Sequence, residues 1–308
     1  MGNFGKLALK YFFKPKAKFK NYVAKGGSKG FKKIKEAEAK AKNSADSIKI
    51  HFTPSEDLHI AVLTGKKHWY QTIFMLKSLF MNYATSATIT VLDDGSMDEQ
   101  FIDKINIQLP GVKVITAKEQ DEIFTSQLPI ANFPYIHQAA KFHPMFRKLF
   151  QLRIALKGYQ LYLDSDLIFY DFPDFIAESV ENKRPIYMTD KEGVYFYDKS
   201  FLQSLLDKGN ILRDRVNAGI VGLDSDCVNW KVVEDWTKQL INSQGPHFFL
   251  EQAITALIMS QLPSKGTPSE YIIDPSKTMV INSKGKLHHY VGSERDWYHL
   301  YALSNFYE

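Results

Sequence analysis

Apolar residues along the chain alternate between short unbroken runs and stretches with a three-to-four residue rhythm. His59-Ile60-Ala61-Val62-Leu63-Thr64 is an apolar run closed by Gly65, the pattern of a buried parallel strand. Helical spacing follows at Tyr70, Ile73, Phe74, Leu76, Leu79 and Phe80. A second run, Ala87 to Leu92, ends in Asp93-Asp94-Gly95-Ser96. A further helix–strand step runs from Asp98 through Val112-Lys113-Val114-Ile115 to about Lys118. This alternation predicts an α/β fold, a twisted and mostly parallel sheet with helices on both faces. Residues 119–140 carry few periodic signals and contain Pro129 and Pro134, which predicts a long loop. Phe142, Met145/Phe146, Leu149, Leu152 and Leu156 then predict one helix, with Arg147 and Lys148 off its apolar stripe.

The run Tyr159 to Leu163 leads into Asp164-Ser165-Asp166, and the chain turns apolar again at Leu167-Ile168-Phe169. Carboxylates at the end of a core strand are costly to bury unless paired or bound to a cation. A divalent ion with free sites for phosphate or water oxygens suits such hard ligands. The competing reading is a turn, since Asp and Ser start turns and cap helices. Ligands of doubly wound sheets bind beyond the carboxyl ends of the strands. Thr64, Asp93, Asp94, Asp164 and Asp166 all stand at such ends. Strands are also expected near Ile186-Tyr187-Met188, near Val194-Tyr195-Phe196, and over Val216 to Asp224. Val228, Val232, Trp236 and Leu240, then Leu250, Ile254 and Leu257/Ile258, predict two more helices. Asp224-Ser225-Asp226 repeats the Asp-Ser-Asp string but precedes a helix, so it reads as a cap rather than a metal site. The closing aromatics, Trp297 to Tyr307, are expected to pack on the core.

Charge divides the chain of 308 residues. Residues 1–42 hold 13 Lys against Glu36 and Glu38, net +11; the total of +5 leaves −6 for the remainder. Residues 1–50 therefore read as a basic, aromatic-containing arm, amphipathic or disordered, ahead of a single domain over 51–308. Lysines interleaved with Phe4, Leu7, Phe12, Phe19 and Phe31 suit an anionic membrane surface, and equally a solvated tail. Nucleic acid is the weaker option, because no nucleic-acid-reading motif accompanies the charge. The single cysteine, Cys227, excludes an intrachain disulfide and fits a reducing compartment. No run of about 18 apolar residues and no secretory-type leader is found, so the expected location is cytoplasmic, peripheral at the inner membrane face if the arm binds lipid.

The order of polar signals resembles glycosyltransferase family 8, the glycogenin and lipopolysaccharide galactosyltransferase group of GT-A glycosyltransferases. Its marks here are Arg147 or Lys148 before the DxD, Asp164 and Asp166 as the DxD, Asn217-Ala218-Gly219, Glu251-Gln252, and His289-x-x-Gly292-x-x-Arg295. Together they cover about residues 58–297. Arg295 stands where the family usually has Lys, and Asp296 replaces its usual Pro. The resemblance implies a GT-A fold and a metal-dependent transfer from a nucleotide-sugar, a UDP-sugar by analogy, with retention. Asp164, Asp166 and His289 would hold Mn²⁺ or Mg²⁺. Gln252, or Glu251 as a true nucleophile, would serve the anomeric centre. Asn217 would bind hydroxyls, Ala218 and Gly219 would leave room for the sugar ring, and Asp93 and Asp94 would meet base or ribose. Thr64, Gly292 and Arg295 with Arg147 or Lys148 would complete donor binding. The acceptor is left open among carbohydrate, lipid-linked and protein classes. Asp93-Asp94-Gly95-Ser96 followed by Asp98 also resembles inverting family 2 enzymes, with Glu251 as base. A non-catalytic nucleotide-sugar or membrane-binding module is the remaining alternative.

Overall fold

The computed structural model describes residues 27–83, 85–191, 193, 199–209, 211–291 and 295–307. In chain order, α1 (Gly27–Ser47) precedes β1 (His59–Thr64), α2 (Trp69–Asn82), β2 (Thr88–Asp93), α3 (Glu99–Gln108) and β3 (Lys113–Ile115). Next come α4 (Ala117–Gln127), α5 (Pro134–Phe142), a 3₁₀ turn (Pro144–Lys148), α6 (Gln151–Ala155), β4 (Tyr159–Leu163) and β5 (Leu167–Phe169). They are followed by α7 (Asp174–Glu181), β6 (Ile186–Thr189), α8 (Lys199–Asp207) and β7 (Val216–Asp224). The last elements are α9 (Trp230–Gln244), α10 (Leu250–Ser260), β8 (Lys265–Gly266), β9 (Tyr271–Ile273), α11 (Lys277–Ile281), β10 (Leu287–His289) and α12 (Arg295–Trp297).

The main sheet has seven strands in the order β3-β2-β1-β4-β7-β6-β8. β1 to β4 are mutually parallel where they pair, and β7 runs antiparallel to both β4 and β6. Side chains alternate across a strand, so β1 feeds two cores. Ile60 and Val62 join one with α2 and the C-terminal turns, and Ala61 joins the other with α4, α9 and α10. A second sheet, β5-β10-β9, pairs Leu167 with His289 across an antiparallel ladder. That pairing brings the late histidine beside the DxD segment.

Three expectations are corrected. Residues 119–140 are mainly helix rather than loop. Thr116 and Glu119 close a capping box at the start of α4, and Pro134 sits in the first turn of α5, where a missing N–H costs nothing. Few apolar residues were needed for burial there, so the periodic signal was faint. The single helix expected over 142–156 is divided into the end of α5, the 3₁₀ turn and α6. Pro144 forces His143 into an extended conformation and breaks the helix. The arm does not extend to residue 50. α1 lies on the body through buried Ala41 and Ala45, and Ile48 and Ile50 enter the first core. Gln108 donates to the carbonyl of Ala45 at 2.6 Å and accepts from the Trp69 indole at 2.7 Å, tying the end of α1 to α2 and α3. Residues 1–26 of the expected lysine-rich arm and the strand expected at 194–196 lie outside the described residues. Tyr298, Leu303 and Phe306 are buried in the first core. Among the described residues no helix is long and apolar enough to cross a membrane.

Candidate functional site

β4 ends at Leu163, and the peptide N–H of Asp164 donates to the carbonyl of Gly219 on β7 at 2.8 Å. Two residues on, the N–H of Tyr290 donates to the carbonyl of Asp166 at 3.1 Å, continuing the β5–β10 ladder. Both residues are thus fixed through their backbone. His289 follows from the register. Its Nε2 lies 3.1 Å from Asp166 Oδ1 and 3.7 Å from Asp164 Oδ2. One ligand atom from each of Asp164, Asp166 and His289 falls within 4.8 Å of the others.

The residues present fit a divalent ion. Two carboxylates and an imidazole are a hard and borderline donor set suited to manganese or magnesium. His289 Nε2 faces both carboxylates, so an ion shared with them would lie on that side of the ring, while Nδ1 is buried against Gly219. Burial would lower the His289 pKa, yet Asp166 and then Asp164 hold it above the usual histidine value. The site therefore draws positive charge.

Gly219 explains how the ring fits. A Cβ there would stand 2.3 Å from His289 Cε1 and 2.7 Å from its Nδ1. The room expected at Gly219 for a sugar ring is filled by the imidazole instead. Ala218 is buried and offers its carbonyl to Lys148.

Behind Asp164 lies a line of buried charges. Lys148 Nζ is 3.4 Å from both oxygens of Asp164, 3.4 Å from the Ala218 carbonyl and 3.8 Å from Glu251 Oε2. Burial pulls the Lys148 pKa down, but Asp164 and Glu251 more than offset it, and the amine stays charged. Burial pushes the Glu251 carboxyl up, opposed by Lys148. Thr255 donates to Glu251, and buried Arg153, lowered to about 10 by desolvation, lies beyond it. Of the two basic residues expected near the DxD, only Lys148 reaches it. Arg147 forms a two-pronged pair with Asp121 of α4 at 2.9 and 3.0 Å.

Asp190, directly after β6, was not anticipated. Its Oδ2 accepts from Asn217 at 3.1 Å and from Gln252 at 3.0 Å. Gln252 gives its other amide proton to the Val216 carbonyl at 2.7 Å. Both partners are acceptors, so the amide orientation is set, with the carbonyl oxygen as its other arm. Asn217 Oδ1 accepts from the N–H of Gly219 at 2.8 Å. The signal for Asp190 was present: β6 runs parallel to β4, so Asp190 is another strand-end acid on the same edge.

Thr64, Asp94, Lys148, Asp164 and Asp166 line one cleft with His68 and His143, about 340 Å³ in volume. That lies within the range of small-molecule sites. Asp93 is occupied in shaping the wall. It accepts from the N–H groups of Gly95, Ser96, Met97 and Ala117. Gly65 gives close passage to Asp94, whose carboxylate would clash with any Cβ there. Gly292 and the Arg295 side chain lie outside the described residues. The Asp224-Ser225-Asp226 repeat is structural: Asp224 caps a 3₁₀ turn, and Asp226 accepts from Gly158.

No protein-family model matches the chain, and no curated protein matches it in sequence. Solved structures do match. Mouse xyloside xylosyltransferase 1 in its apo form is 13% identical, with 76% of this chain and 97% of that chain covered and a TM-score of 0.50. The galactosyltransferase LgtC, in complex with donor and acceptor sugar analogs, is 14% identical over 79% of this chain and 95% of its own, with a TM-score of 0.50. An active-site mutant of LgtC gives 13% identity, the same coverage and a TM-score of 0.53. With the mixed seven-stranded sheet and the DxD at the end of its central strand, these likenesses establish that the chain has the GT-A glycosyltransferase fold.

Proposed function

We propose that this protein is a metal-dependent glycosyltransferase that takes a sugar from a nucleotide-sugar, a UDP-sugar by resemblance, and passes it to a carbohydrate, lipid-linked or protein acceptor. One observation carries the reading: Asp164, Asp166 and His289 present their ligand atoms within 4.8 Å of one another on the ligand-binding edge of a GT-A sheet. These three would hold Mn²⁺ or Mg²⁺, which when bound supplies charge stabilisation to a departing diphosphate. Lys148 places a positive charge 3.4 Å from the Asp164 carboxylate. Asp94 and Thr64 border the cleft where the nucleoside would lie. Gly292 and Arg295 keep their expected donor-binding roles as part of this proposal.

Gln252 is the residue assigned to the anomeric centre. An amide is a poor base, but its carbonyl oxygen can stabilise developing positive charge on the face away from the leaving group. Asp190 orients it, which favours retention. The inverting alternative would need Glu251 as base; its burial behind Lys148 favours a supporting role instead. The lysine-rich segment to residue 42 is assigned to an anionic membrane surface, which places the enzyme at the cytoplasmic face. Co-sedimentation with phosphatidylserine vesicles, lost on deleting residues 1–26, tests that assignment.

The test of the function is release of nucleoside diphosphate from a panel of nucleotide-sugars with added Mn²⁺. Asp166→Ala should lower release about 100-fold or more. A folded wild type that binds donor without releasing product under any metal would return the non-catalytic alternative. The anomeric configuration of the product decides retention against inversion.

A further inference from the structure

The line Asp164–Lys148–Glu251 holds one more anion than cation, and its single amine has two acidic neighbours. Lys148 Nζ touches both oxygens of Asp164 at 3.4 Å, one of which faces His289. Its other anion, Glu251 Oε2, is 3.8 Å away, and both side chains are almost fully buried. An ion held by Asp164 and this amine would be two like charges competing for one carboxylate. In a low-dielectric interior such a repulsion is strong. The amine can relieve it only by leaning on another anion, and Glu251 stands within reach. Tyr162 sets the geometry from below: its hydroxyl donates to Asp164 Oδ1 at 2.6 Å, and its ring lies 5.4 Å from the amine.

Resting on the metal reading given above, we infer that Lys148 is an internal competitor for the metal site and that Glu251 is a positioning residue that draws it aside. Glu251 thereby sets metal affinity without touching metal or substrate. Its carboxylate is anchored from behind by Thr255 and lies within the field of Arg153, so it keeps its place when Lys148 shifts.

The experiment measures Mn²⁺ binding alone, by electron paramagnetic resonance of free Mn²⁺, on the full chain without donor. Lys148→Met removes the charge and keeps the stem, and should tighten Mn²⁺ about tenfold. Glu251→Gln should weaken it about tenfold, because the amine then rests on Asp164 alone. In the Lys148→Met background, Glu251→Gln should have no further effect. That loss of coupling is the signature of an action through Lys148. The double variant also removes the Lys148 and Glu251 charges together, so neither is left facing the loss of the other. Unchanged or weaker Mn²⁺ binding by folded Lys148→Met, or the same Glu251→Gln effect in both backgrounds, overturns the inference. Absence of Mn²⁺ binding by wild type as well would instead sink the metal reading itself.

Discussion

Replacing Gly219 by alanine is the sharpest probe of the site, because it adds one methyl group at a position with no backbone strain of its own. The added Cβ would lie 2.3 Å from His289 Cε1, 2.7 Å from Nδ1 and 2.9 Å from Asn217 Oδ1, where ordinary contacts begin at 3.4 Å. The imidazole must therefore retreat by about 1 Å. Its Nε2 now sits 3.1 Å from Asp166. Metal ligands tolerate only about 0.2 Å of error in their distances, so a shift of that size takes His289 out of the coordination sphere. A misplacement of about 1 Å costs roughly 100-fold in rate. The fold should survive, since overpacking of this kind costs about 1–3 kcal/mol. Gly219→Ala should therefore lose about 100-fold in Mn²⁺-dependent nucleotide release and bind Mn²⁺ measurably more weakly, with a thermal transition still cooperative. Activity and Mn²⁺ affinity within threefold of wild type would refute the claim that the glycine exists to seat the imidazole.

Other outcomes are expected. Asp190→Asn should cut turnover about 10- to 100-fold with little change in Mn²⁺ affinity, since it unties Gln252 and Asn217 but leaves the ligand cluster alone; parallel rate and binding assays separate the two. Glu234 accepts from the N–H groups of Tyr135 and Ile136 at 2.9 and 2.8 Å, at the start of α5. Glu234→Ala should lower unfolding free energy by about 1–3 kcal/mol in urea titrations. His288 is buried with its pKa lowered to about 4 from 6.5, so the unfolded chain binds its proton more readily. Stability should fall as pH drops from about 6.5 to about 4, by up to about 3 kcal/mol from this residue, and flatten below that. Denaturant midpoints for wild type and His288→Gln should converge toward pH 4 if the assignment is right.

The strand-rich half of the chain was open to reading because parallel core strands are short apolar runs, and each ended in a polar residue that marked one edge. Thr64, Asp94, Asp164 and Asp166, marked by that rule, line the cleft, whereas Asp93, marked by it too, is turned into the wall. Asp190 obeys the same rule and was passed over because its strand carries only Ile186, Tyr187 and Met188 as signal. The connecting helices were harder. α4 and α5 bury few side chains and are held by capping and by Glu234, interactions invisible to hydrophobic periodicity. Which of Arg147 and Lys148 reaches the cluster was not legible, because the two are adjacent and only the packing of the 3₁₀ turn sends Lys148 to Asp164 and Arg147 to Asp121. The role of Gly219 required three dimensions, because the ring that fills its space comes from a residue 70 positions later.

The short β5–β10–β9 sheet has a consequence for synthesis. The carboxylates of the cluster emerge from the ribosome long before the imidazole, since His289 Nε2 and Asp166 Oδ1 are 123 residues apart in sequence. A nascent chain that has built β1 to β7 still lacks the third ligand. Any product that stops short of β10 would lack both the third ligand and the C-terminal turns that fill the first core, so the centre and the fold are completed together.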